Sequence, residues 1–184
     1  MNAQISGKEN LLYRTLLALT LIILAAALRI APHLWNFAPV GAMALFSGAL
    51  LKDRRLAFLF PIVALLAGDI FIGFHKLIPM VYASFLISVA IGLWLRDRRT
   101  IARISLATLL GAIQFFLVTN FAVWQFLSGY PHNSSGLLAC YIAGIPFFWN
   151  TLAGDAVYAA LLFGGFALAE HFFPAFREPV RTAS

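Results

Sequence analysis

Two aspartates, Asp69 and Asp155, each close a Leu-Ala-Gly-Asp tetrapeptide set inside strongly apolar sequence. On insertion scales a carboxylate at the centre of a membrane helix costs about 2.5–3.5 kcal/mol, so each needs a cation, a polar cavity or a proton. Arg29, Asn36, Asn120 and Asn150 are the other strongly polar groups placed toward the same ends of the apolar runs. With His75 and Trp124 they form a candidate substrate-binding set: Arg29, Asn36, Asp69, His75, Asn120, Trp124, Asn150 and Asp155. Such side chains suit reversible polar binding of a small molecule. The competing reading is structural: Arg29 pairs with Asp69 or Asp155, and the amides bond across helices.

His33, His75 and His132 come from three separate stretches with no ligand spacing between any two, and Cys140 is a lone thiol. They are the candidates for metal ligation, but burial and interfacial placement account for such residues as well. The expectation is therefore no metal and no cofactor. A single cysteine also excludes an internal disulfide. No HExxH, GxSxG or Walker sequence occurs, so no enzymatic activity is expected.

The elements that must position these groups are membrane helices. The chain is 62% hydrophobic and 11% charged, and ordinary soluble domains carry about 25% charged residues. Apolar stretches of 18 residues and more match a bilayer core of about 30 Å. The spacing predicts helices over Leu11–Ala31, Leu34–Leu51, Leu56–Phe74, Leu77–Leu95 and Ile104–Leu127. The apolar run Gly136–Ala169 is 34 residues, about 50 Å as one helix, and Pro146 is expected to divide it into an interfacial piece near Leu137–Ala143 and a sixth helix, Pro146–Ala169. The fold expected is all-α, a polytopic membrane bundle of about six transmembrane helices. Residues 1–10 and 172–184 are its cytoplasmic tails and 11–171 its membrane domain. A cleaved signal peptide is the alternative for the N-terminus, with Ala25-Ala26-Ala27 as the cleavage-like triplet.

The net charge of +6 does not point to nucleic acid, because the cations cluster between apolar runs. Eleven of the thirteen Lys and Arg residues fall in the N-terminal tail, around Lys52–Arg55, over Arg96–Arg103 and in the C-terminal tail. That bias places both termini inside and leaves Arg29 and Lys76 outside. The outer loop Gly129–Gly136 is rich in turn formers and suits a lid. Asn36-Phe37-Ala38 precedes Asp69 by 33 residues, and Asn120-Phe121-Ala122 precedes Asp155 by 35. With Pro61 and Pro146 ahead of the two aspartates, this order suggests an inverted repeat of three helices plus three.

The segments Asn36–Ala49, Leu66–His75 and Tyr130–Gly164 resemble a family of small, functionally uncharacterised bacterial membrane proteins regarded as transport proteins. In size, helix number and orientation the chain also resembles the substrate-binding S components of energy-coupling-factor vitamin transporters. That resemblance implies six helices in a bacterial cytoplasmic membrane and capture of a vitamin or related micronutrient near the outer face. It also implies docking on a transmembrane coupling subunit with cytoplasmic ATPases. The S components' Ala-xxx-Ala contact on helix 1 is matched only by Ala27 and Ala31, at the outer end. If such a protein bound cobalamin through a cysteine, Cys140 would be the candidate. Two other readings stay open: a proton-coupled secondary carrier titrating at Asp69 and Asp155, and a non-transport membrane scaffold or assembly protein.

Overall fold

The computed structural model describes residues 2–29 and 36–178. Among them the chain is all-helical, with six α-helices: α1 (Asn2–Leu28), α2 (Val40–Leu50), α3 (Arg54–Ile72), α4 (Ile78–Leu93), α5 (Ile101–Phe126) and α6 (Ser134–Phe172). A single 3-10 turn, Pro174–Phe176, follows α6. Three segments are long and apolar enough to cross a membrane unaided: Gly7–Leu28, Ile101–Phe126 and Ser134–Phe172.

Three helix starts have a side-chain cap. Asp53 accepts from Arg55 N–H at 2.8 Å, Thr100 from Arg103 N–H at 3.3 Å, and Asn133 from Gly136 N–H at 2.9 Å. At its other end α3 stops at Gly73, whose φ of 104° is closed to residues with a side chain.

Two expectations are corrected. Pro146 does not divide the last apolar run, and α6 continues through it for 39 residues, about 58 Å. Its N-terminal half lies against α5 on both sides of the proline. Tyr141 Oη donates to the Leu117 carbonyl before the proline, and the Phe148 ring packs on Phe116 at 5.3 Å after it, which holds the two parts in line. The second correction concerns the helix expected over Leu34–Leu51. α2 covers only 11 residues, about 16 Å, which is half a bilayer core. Its expected start, with Trp35, lies outside the described residues.

α2 is the centre of the bundle. Val40 through Ala49 are all buried, and α2 touches each of the other five helices. Lipid gives no hydrophobic drive to helix association, so close approach of small residues has to supply it. At Gly48 a Cβ would fall on the Val89 carbonyl of α4, and at Gly92 on the Leu45 carbonyl of α2, so the two backbones touch. Below this crossing Phe46 packs edge-on against Phe163 and Phe166 of α6, at 5.2 and 5.8 Å between ring centres.

α1 packs against α3, whereas α4 and α6 do not touch, and the two triplets differ in helix lengths. A duplication of three helices stays an inference from the sequence pattern alone.

Candidate functional site

The unusual demand made by α2 is that a helix buried on all sides exposes its unpaired end groups to no water. Its N-terminal residue Pro39 offers no side-chain cap. Asp155, near the middle of α6 and 3% exposed, supplies one instead, accepting from the Ala42 N–H at 3.1 Å and from the Gly41 N–H. A Cβ at residue 41 would collide with that carboxylate, so glycine makes room for it. At the opposite end the Arg96 guanidinium donates to the carbonyls of Gly48, Leu51 and Lys52. A carboxyl group thus sits at the positive end of the helix dipole and a guanidinium at the negative end. Burial and the neighbouring Arg54 charge lower the Arg96 pKa from its ordinary value.

Asp155 also lines a cavity of about 550 Å³. Its walls come from the N-terminal end of α2, the N-terminal part of α4, the C-terminal half of α5 and one face of α6. Of the expected binding residues, Arg29, Asn36, His75, Asn120 and Asp155 line it. Asn36 takes a positive φ of 61°, a conformation that asparagine tolerates better than most residues. Asn120 bends back to donate from Nδ2 to the Phe116 carbonyl at 2.8 Å.

The remaining three expected residues are not among those lining it. Asp69 is closed off by partners: Arg29 Nη2 donates to its Oδ1 and Tyr82 Oη to its Oδ2, each at 2.6 Å. Arg29 also donates to the Leu65 carbonyl at 2.9 Å, lying over Gly68, where a Cβ would displace it. The Arg29–Asp69 pairing named as the structural alternative is therefore present, while Arg29 still reaches the cavity wall. Trp124 closes the loop before α6 instead, donating from Nε1 to the Pro131 carbonyl at 2.9 Å and packing on His132 and Phe121. Asn150 is half-buried with contacts of its own.

The histidine and cysteine candidates are dispersed. His75 and Cys140 line the cavity, His132 rests on Trp124, and His33 lies outside the described residues. Cys140 Sγ donates to the Asn120 carbonyl at 3.4 Å. Among the described residues no three His, Cys, Asp or Glu side chains gather as a metal set would.

Sequence reasoning missed several lining groups, including Thr119, Tyr130 and Thr151, and the aromatic walls Phe85, Phe115 and Phe147. Phe85 and Phe115 are stacked at 5.1 Å. A signal for part of this set was available. Cys140, Gly144, Phe147, Thr151 and Asp155 recur at intervals of three and four, one face of a continuous helix. An expected break at Pro146 obscured it.

The opposite end of the bundle is polar inside as well. Arg14, 6% exposed, pairs with Glu170 at 2.6 Å, donates to the Phe176 carbonyl and faces the Phe166 ring. Arg99 approaches the same Glu170 at 3.5 Å. A lone Arg in the first helix reads as a topology signal, and its partner lies far along the chain.

The chain belongs to DUF6580, a family of unknown function, which matches residues 9–176. Comparison with curated proteins gave no match, and comparison with solved structures gave none either.

Proposed function

We propose that this member of the family is a membrane transport protein that binds a small solute in the cavity above Asp155. The observation that carries the reading is the convergence of Arg29, Asn36, His75, Asn120 and Asp155 from five separate segments on one space of about 550 Å³. Pockets of that size with apolar walls and a few convergent polar groups are typical small-molecule sites. The stacked Phe85 and Phe115 favour a flat ring system, and Thr119, Asn120 and Thr151 a hydrogen-bonding edge. A vitamin or related micronutrient has that character. In this reading the protein sits in a bacterial cytoplasmic membrane with both termini inside, the cavity faces outward, and a coupling subunit with ATPases drives uptake as for S components.

The proton-coupled carrier is the second reading, and one observation narrows it. Asp69 is engaged by Arg29 and Tyr82, whereas Asp155 has two backbone amides for partners and faces the cavity. A carrier would then run on Asp155 rather than on a pair of aspartates. A scaffold needs no cavity of this size.

Mass spectrometry of small molecules that co-purify with the detergent-solubilised protein tests the proposal. The wild type should retain a compound that Thr151→Phe, which fills the cavity, loses while still folding. Retention that is equal in both, or no retained compound at all, would sink the reading.

A further inference from the structure

A second cavity, of about 810 Å³, lies at the opposite end of the same helices. It is bounded by Leu50 at the C-terminal end of α2, by Arg96 and Arg99, by Thr108 of α5, and by Ala156 and Ala160 of α6. The two cavities share a boundary one helical turn thick. On α5, Gly111 lines the outer space and Thr108 the inner one, about 4.5 Å apart along the axis. On α6 the two linings meet as adjacent faces, Asp155 beside Ala156 and Thr151 beside Leu152.

What separates them is thin. A Cβ at Gly111 would lie 3.7 Å from Leu45 Cδ1 and 3.7 Å from Ser88 Oγ, so one leucine of α2 fills the place where α5 has no side chain. The boundary is also polar for its depth. Asp155, Ser88 and Thr108 surround it, and Gln114 Nε2 donates to Ser88 Oγ at 3.0 Å. Ser84 Oγ and Gln114 Oε1 beside them are buried without a hydrogen-bond partner among the described residues. Buried polar groups usually find partners, and polar groups deep in a membrane bundle tend to mark a solute path.

We infer that the two cavities are the outer and inner halves of one passage, and that movement of α2 withdraws Leu45 and joins them. The inference rests on the proposal that the outer cavity takes a solute, but it replaces tipping against a coupling subunit with a passage inside this chain. The geometry of α2 suits the part. Its two caps, Asp155 and Arg96, line one cavity each, so a polar solute arriving on either side competes for one end of the helix. The solute is a small polar compound narrow enough for a gap the width of one leucine side chain.

Cysteine accessibility in oriented proteoliposomes tests the passage without knowing the solute. Thr119→Cys and Ser105→Cys report the outer and inner cavities in a Cys140→Ala background. A charged, membrane-impermeant methanethiosulfonate should modify Thr119→Cys from outside and Ser105→Cys from inside. Adding Leu45→Ala should make Thr119→Cys react from inside at least tenfold faster, and Leu45→Val serves where the alanine variant does not fold. The passage is overturned if Ser105→Cys reacts with a lipophilic maleimide but not with the charged reagent, which would make the inner space a lipid-filled groove. It is overturned too if Thr119→Cys stays protected from inside in a folded Leu45 variant. Either result leaves solute binding standing. An unreactive Thr119→Cys on the outer side defeats both proposals.

Discussion

Asp155 and Arg96, 59 positions apart in the chain, hold opposite ends of the same 11-residue buried helix. Neither belongs to α2. The helix at the centre of the fold is therefore completed by polar groups that other elements bring to it, an acceptor at its N-terminal end and a guanidinium at its C-terminal end.

Removing the carboxylate should expose that dependence. Asp155→Ala leaves the Gly41 and Ala42 amides buried without a partner, at a cost of about 1–3 kcal/mol. Asp155→Asn keeps an accepting oxygen and should lose less. Thermal unfolding in detergent gives the order wild type, Asp155→Asn, Asp155→Ala. An alanine variant that melts with the wild type would remove the capping role.

The Arg29–Asp69 pair should behave as a unit. Either alanine substitution alone strands a charge, which typically costs about 3 kcal/mol or more. The double variant should be less destabilised than the sum of the singles by about 1–3 kcal/mol. Full additivity in a double-mutant cycle would mean that the two side chains do not interact energetically. Tyr82→Phe should show a smaller loss, because it removes one of the bonds to Asp69.

Glycine positions separate close approach from open space. Gly48→Leu and Gly92→Leu should each prevent stable folding, since the added atoms meet backbone of the facing helix. Gly165→Ala meets nothing within 4 Å and should be neutral or stabilising by up to about 1 kcal/mol. The monodisperse yield on size exclusion reads out both. A tolerated Gly48→Leu would contradict the α2–α4 contact.

Orientation follows from the basic residues. Reporter fusions after Arg55, after Arg99 and at the C-terminus should read cytoplasmic, and fusions near His75 and Asn133 external. A periplasmic C-terminus would reverse the sidedness assigned to both cavities.

The readable parts of this fold were those that depend on apolar runs. Helices near Leu56–Phe74, Leu77–Leu95 and Ile104–Leu127 appear within a few residues of those limits. The cost of a buried carboxylate correctly marked Asp69 and Asp155 as needing partners, and it offered Arg29 for one of them. It had no means of assigning the other, because Asp155 is satisfied by backbone amides, and backbone carries no sequence signature. Arg96 was hidden for a related reason. It stands in a run of cations that reads as a topology signal, and its bonds go to carbonyls. The length of α2 was also out of reach, since an apolar run has the same hydropathy whether it spans a membrane or ends halfway.

The Arg14–Glu170 pair also sets a timetable for making the protein. The two residues are 156 positions apart, so at about 5–20 residues per second the ribosome delivers the glutamate roughly 8–30 s after the arginine. Throughout that interval the first helix carries a cation whose permanent neighbours, Glu170, Phe166 and the Phe176 carbonyl, have not been synthesised. The nascent chain must keep Arg14 at the water interface until the last turns of α6 arrive. A chain truncated before Glu170 should therefore present an unfinished first helix to the cell's membrane proteases.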